Sequence, residues 1–210
     1  MQKSTTRPII LASQSPRRKD LLQKMGITFS VVPSNFVETL DHSRPVDEVA
    51  IELALGKARE VAKKHPKAIV IGADTIVLID GKQLGKPKDE VEARQTLHNL
   101  AGQINVVCTG MAVLCQDLGV QTTSAVSSKV FFKPDDDIAI EKYLASGDWH
   151  DKAGSYGIQS GAAPLIEYVE GEYDAVLGLP TRVLADLLNK MGISCRSADL
   201  QIPVTVRQPA

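Results

Sequence analysis

Residues 68–79, Ala-Ile-Val-Ile-Gly-Ala-Asp-Thr-Ile-Val-Leu-Ile, constrain the fold more than any other segment of this chain. The run is apolar and largely β-branched, with no regular alternation of polar and apolar residues. A strand of that composition is expected where a sheet is covered on both faces. One residue breaks the run. An ionised carboxylate at Asp74 is costly unless it is paired, bound to a metal or open to a cleft. Either the strand ends at Ala73 and Asp74 starts a turn, or the strand continues and Asp74 has a task. Ile76 to Ile79 resume the apolar pattern at once, which favours the second reading. Gly72, two residues earlier, leaves room for a ligand or another backbone to approach.

The flanking sequence supplies helices for such a sheet. Ile9-Ile10-Leu11 reads as a strand, followed by a helix that ends at Met25-Gly26, where glycine suits the position after the last turn. Ile27 to Pro33 reads as a second strand, and Ser34 to Arg44 as a polar loop. Pro45 and the acidic pair Asp47-Glu48 open a helix to about Lys64, with an apolar stripe at Val46, Val49, Ala50, Leu53, Ala54, Ala58 and Val61. Asp80-Gly81 marks a turn, and a helix runs from Asp89 to about Leu100. Two β-rich stretches, Val106–Leu114 and Thr122–Phe132, are placed to pair antiparallel. Asp135-Asp136-Asp137 caps a helix to about Ala145, and a glycine-rich loop covers Gly147 to Gly161. Leu165–Val169 reads as a last strand, Pro180–Met191 as a last helix, and Ser194–Ala210 as a loosely held tail. With 210 residues, 43% of them hydrophobic, one large domain with a sizeable core is the expectation.

The start of the first helix carries chemistry. In Ser13-Gln14-Ser15-Pro16-Arg17-Arg18, Ser15 is a good N-cap and Pro16 suits the first helical position. Arg17 and Arg18 then lie at the positive end of the helix dipole, where cations are disfavoured. An anion bound there reverses the sign of the argument. Free N–H groups, serine hydroxyls and two guanidinium forks together make a phosphate site.

Four further features have a plain reading and a functional one. Lys57 falls on the apolar stripe of its helix, either snorkelling at the core edge or aimed at the same cleft as Asp74. Glu38 is either a solvated loop residue or a second carboxylate beside Asp74, and two carboxylates with substrate phosphates are a normal way to hold Mg²⁺ or Mn²⁺. Gly81–Pro87 resembles a P-loop only superficially. It has three residues between its glycines where four are needed, and Pro87 stands where a hydroxyl would touch magnesium. Lys86 within it is a surface lysine or a point charge for phosphate. The loop Asp151-Lys152-Ala153-Gly154-Ser155-Tyr156-Gly157-Ile158-Gln159 is either a plain surface loop or one whose glycines admit a ligand. Gln159 can donate and accept, which suits the edge of a nucleobase.

Other classes are disfavoured. A formal net charge of −1 gives no broad nucleic-acid surface, so local cations are read as a site. Cys108, Cys115 and Cys195 form neither a disulfide framework nor a C-x-x-C motif, and His42, His65, His98 and His150 form no H-E-x-x-H. No apolar run reaches membrane-spanning length, and no secretory h-region precedes the first strand. The expectation is a cytoplasmic protein with reduced thiols.

Taken in order, Leu11–Arg18, Glu38, Lys57-Ala58, Ile71–Thr75, Gly85-Lys86-Pro87, Asp151–Gln159 and Val176–Pro180 resemble the Maf family of nucleoside triphosphate pyrophosphatases, also called septum-formation-inhibitor proteins. The resemblance spans residues 8–191 and leaves 1–7 and 192–210 as terminal extensions. It implies an α/β domain with a long, twisted mixed sheet flanked by helices, two lobes around a central cleft, and often a homodimer. It implies hydrolysis between the α and β phosphates, assisted by a divalent metal cation at Glu38 and Asp74, with Asp74 as proton acceptor and Lys57 and Lys86 beside it. Ser13, Arg17, Arg18 and Lys152 would meet the substrate. Arg17, Thr75 and Gln159 match the branch associated with dTTP and UTP rather than the one associated with 7-methyl-GTP. The competing reading is a nucleotide-binding regulator of septum formation that does not turn its ligand over.

Overall fold

The computed structural model describes residues 7–39, 41, 43–200 and 202–208. The chain divides into two compact units: residues to Asp74 with Gly110–Ala125 and Gly178–Asp199, and Thr75–Thr109 with Val126–Leu177 and Leu200 onward. Among the described residues, eight strands form one mixed sheet: β1 (Ile9–Leu11), β2 (Ser30–Val31), β3 (Ile69–Ile79), β4 (Lys82–Leu84), β5 (Ile104–Cys115), β6 (Val120–Phe132), β7 (Ile166–Glu170) and β8 (Thr205–Arg207). Their order is β2-β1-β3-β5-β6-β7-β8, with β4 paired to β3. Six α-helices among the described residues accompany the sheet: α1 (Pro16–Lys24), α2 (Val46–Lys64), α3 (Glu90–Leu100), α4 (Asp137–Ala145), α5 (Tyr173–Leu177) and α6 (Thr181–Lys190).

In the first unit, β1 is parallel to both β2 and β3, with Leu11 opposite Val31 and Ile71. The strand β3 runs through Asp74, so the carboxylate lies within the strand, not in a turn after it. Ile10, Ala12, Val70, Ala112 and Leu114 pack on Ala54, Ala58, Val61 and Ala62 of α2. Alanine dominates the helix side of this core, and two glycines on the strands match it. A Cβ on Gly72 would collide with the Ala54 carbonyl oxygen, and one on Gly110 with the main chain of Ala50. The helix therefore sits backbone-to-backbone on β3 and β5.

In the second unit, β3 turns into β4 through Asp80 (φ 48°) and Gly81 (φ 72°). Positive φ at both central residues is the two-residue hairpin turn whose twist matches that of the strands. Phe132 meets Tyr156 edge-on, with centroids 5.0 Å apart, and the Tyr156 hydroxyl donates to Asn105 Oδ1 at 2.9 Å.

Four elements differ from the sequence expectation. The strand β4 stands where the sequence reading has only the turn at Asp80-Gly81 and the segment after it. The second strand shrinks from Ile27–Pro33 to Ser30–Val31. The helix α5 was not foreseen, because five residues carry too little periodicity to register. The tail is not loose throughout, because Thr205–Arg207 form a strand parallel to β7.

Candidate functional site

The centre of the site is one ammonium shared by two carboxylates. Lys57 Nζ lies 2.7 Å from Glu38 Oε1 and forms a short ion pair with Asp74 Oδ1. The Lys57 and Asp74 side chains are only 13% and 10% exposed, while that of Glu38 is 50% exposed. At that burial Asp74 needs a partner, and it has one.

Local sequence explains how the three groups meet. Because Gly72 lets α2 settle onto β3 at Ala54, Lys57, three residues further along the helix, reaches Asp74, two residues further along the strand. Glu38 comes from a segment without regular structure, and the same helix holds that segment down. Glu60 Oε2 accepts from Ser34 Oγ and from the Asn35 N–H, both at 2.6 Å. These two bonds hold the Glu60 carboxyl below its usual range. The Phe36 ring lies where a side chain on Gly56 would be. Thus α2 supplies the shared cation and both anchors of the loop that brings the second anion. Glu60, Gly56 and Phe36 were missed from sequence. Glu60 looks like one more exposed helix glutamate, and only the fold shows what it accepts.

The start of α1 forms as its sequence foretells. Ser15 Oγ caps the helix by accepting from the Arg18 N–H at 3.4 Å. Ser13, 8% exposed, accepts from the Ser15 N–H at 3.2 Å and from Arg18 Nη1 at 3.3 Å. Arg18 Nε donates to the Gly178 carbonyl at 2.8 Å. Burial lowers the Arg18 guanidinium pKa, Asp74 and Glu38 oppose that shift, and neighbouring Arg17 adds to it. Ser13, Arg17, Arg18, Glu38, Lys57 and Asp74 all belong to the first unit.

Thr75, Lys86, Lys152 and Gln159 belong to the second unit. Thr109 Oγ1 donates to the Ala175 carbonyl at 2.7 Å and lies 3.0 Å from Thr75 Oγ1. A hydroxyl has one proton, and Thr109 has given its own to a carbonyl that can only accept. Thr75 is therefore the donor of the second bond. Lys86 is exposed. It follows Gly85, whose carbonyl accepts from the Gly154 N–H at 3.0 Å, tying this turn to the loop of Lys152 and Gln159. Lys152 is 6% exposed, and Nζ reaches the Asp148 carbonyl (2.5 Å), Asp148 Oδ1 (3.0 Å) and Asp151 Oδ1 (2.9 Å). An ammonium has three donors, so all of them are engaged in holding the loop. Gln159 is exposed at the loop's end.

Among the described residues, His98, Asp135 and Asp137 form a cluster able to hold a metal ion. The ring nitrogens face different carboxylates, Nδ1 toward Asp135 at 3.0 Å and Nε2 toward Asp137 at 3.9 Å. A cavity of about 380 Å³ in the same unit is lined by Leu97, Phe132, Pro134, Asp135, Ile140 and Leu165, and by none of the candidate residues. No helix among the described residues is long and apolar enough to cross a membrane.

Comparison with known proteins adds a family. The family profile described as Maf-like protein matches residues 8–191. The dTTP/UTP pyrophosphatase of Halalkalibacterium halodurans is 46% identical over 190 residues, covering 90% of this chain and 99% of that protein. The dTTP/UTP pyrophosphatase of Dictyoglomus thermophilum is 44% identical over 187 residues, covering 89% and 97%. Among solved structures, a HAM1 protein from Coxiella burnetii shares the fold, with a TM-score of 0.50 and 14% identity over 88% of this chain and 100% of that one.

Proposed function

Because the chain belongs to the Maf-like protein family, we propose that it hydrolyses nucleoside triphosphates, dTTP and UTP foremost, to the monophosphate and pyrophosphate. The observation that carries this reading is the Lys57 ammonium held between Glu38 and the buried Asp74. Phosphoanhydride hydrolysis asks for positioning and charge neutralisation more than for covalent chemistry, and these groups are of the kind required.

In this mechanism Ser13, Arg17 and Arg18 at the start of α1 take phosphate oxygens, and Lys86 adds a point charge. Asp74 accepts a proton from the attacking water. The water oxygen bonds to a phosphorus of the α–β bridge, the bond from that phosphorus to the bridging oxygen breaks, and the products separate as monophosphate and pyrophosphate. Lys57 fixes the orientation of both carboxylates. Glu38 and Asp74 would also hold a divalent cation, because each is a hard oxygen donor with a second carboxylate oxygen besides the one that faces Lys57. When bound, Mg²⁺ or Mn²⁺ supplies neutralisation of phosphate charge and a more acidic water.

Gln159 reads the base edge, and Arg17 and Thr75 belong with it to the dTTP/UTP assignment. Lys152 serves by holding the loop that presents Gln159. A cytoplasmic homodimer is part of the proposal. Pyrophosphate release from UTP, dTTP, CTP, GTP and 7-methyl-GTP, with Mg²⁺ or Mn²⁺, tests it. Fastest release from UTP and dTTP is expected. Nucleotide binding without release from any of the five would overturn it in favour of a non-catalytic regulator.

A further inference from the structure

The residues after 191 lie outside the family match, yet part of them joins the sheet. Thr205, Val206 and Arg207 pair with Tyr168, Val169 and Glu170 of β7. The Gly171 N–H donates to the Arg207 carbonyl at 2.9 Å. The Arg207 guanidinium lies 3.7 Å from the centroid of the Tyr168 ring, and that ring stacks on Phe131 with centroids 4.1 Å apart. Two flat groups that close to one ring must take opposite faces of it, so Tyr168 is sandwiched between β6 and the tail.

Among the described residues the strand β8 is the last on that side of the sheet, and without it the edge would be β7. The two edges differ in kind. An exposed edge is a row of unpaired N–H and C=O groups that pairs readily with another chain, and proteins blunt it with short strands, cations and proline. The β7 edge is five residues long and bears Tyr168. The β8 edge is three residues long, is bracketed in sequence by Pro203 and Pro209, and carries Arg207. The tail thus replaces a longer, adhesive edge with a short one that has all three features.

We propose that Thr205–Arg207 are a built-in edge strand filling a strand-accepting surface on β7, and that without them this surface pairs with the β7 edge of a second copy. Recognition there is by main-chain hydrogen bonds, as in other strand-addition interfaces, with the cation over Tyr168 setting the fit. The proposal does not depend on the nucleotide chemistry, so pyrophosphate release serves as a check that variants are folded.

The test compares the full chain with one ending at Asp199, by light scattering after size exclusion over a series of concentrations. The truncated chain is expected to show a larger, concentration-dependent mass than the full chain. A synthetic peptide of residues 200–210 should restore the full-chain mass, and the same peptide with Arg207→Ala should need at least tenfold more. Arg207→Pro in the full chain removes an N–H on the side of the strand that faces β7 and puts a ring there, so it disrupts the pairing without shortening the protein; it should behave like the truncation and decides the matter if the truncated chain does not fold. Equal masses for the full chain, the truncation and Arg207→Pro at every concentration would overturn the proposal.

Discussion

Replacing Gly72 by alanine should disturb the site through the helix packed against that position. The new Cβ would collide with the Ala54 carbonyl oxygen and would lie 2.9 Å from the Ala58 Cβ and 3.1 Å from the Ala58 nitrogen. Two of these three atoms are main chain, so no rotamer change relieves the clash. The helix must lift by roughly 1 Å, at the 1–3 kcal/mol typical of overpacking. For a chain of this size that corresponds to a fall in Tm of roughly 2–12 °C. Lys57 lies between Ala54 and Ala58 on the same helix and moves with them, away from Asp74. A displacement of about 1 Å in a positioned group costs on the order of 100-fold in rate. Thermal unfolding and steady-state pyrophosphate release from UTP measure the two effects, and both should appear in one variant. An unchanged Tm together with wild-type turnover would show that α2 does not owe its position to Gly72.

Three shorter predictions follow from the same geometry. Asp74→Asn should leave the protein folded, with Lys57 still paired to Glu38, and should abolish pyrophosphate release; residual turnover within tenfold of wild type would remove Asp74 from the role of base. Gln159→Ala, at an exposed loop position, should compress the kcat/KM differences among UTP, dTTP, CTP and GTP while changing pyrophosphate inhibition little; unchanged ratios would mean the base is read elsewhere. Glu60 has a carboxyl pKa lowered in the fold, so its stabilisation is present above the ordinary carboxylate range and lost as pH falls through the lowered folded value. Glu60→Gln should therefore flatten the acid side of the Tm-versus-pH curve and raise the KM for UTP at neutral pH by loosening the Glu38 loop; an unaltered acid limb would refute the anchoring role.

What the sequence discloses of this molecule follows how local each signal is. The cap at Ser15, the turn at Asp80-Gly81, the helix from Val46 to Lys64 and the strand through Asp74 rest on neighbours within a few residues, and all four appear where the residues place them. Lys57 was ambiguous on its own helix, because a lysine on an apolar stripe looks the same whether it snorkels or faces a carboxylate. Its pairing with Glu38 and Asp74 depends on residues 19 and 17 positions away, and only folding brings them together. The anchoring of Ser34, Asn35 and Phe36 on α2 had no periodic signature at all. The strand β8 was hidden for a related reason. Three residues between prolines read as a tail unless the sheet edge that accepts them is known.

The main-chain contact between α2 and the strands also governs which substitutions can rescue one another. In an ordinary core, a residue enlarged on one element can be offset by a smaller one opposite. Here the obstacle to a side chain at 72 is the carbonyl oxygen of Ala54, and at 110 the main chain of Ala50. Trimming either alanine to glycine removes a methyl group but leaves the obstructing atoms in place, and it adds about 1 kcal/mol of helix destabilisation. Positions 72 and 110 should therefore lack suppressors at the residues facing them. A selection for revertants of Gly72→Ala would be expected to return glycine itself, or changes that shift α2 as a whole.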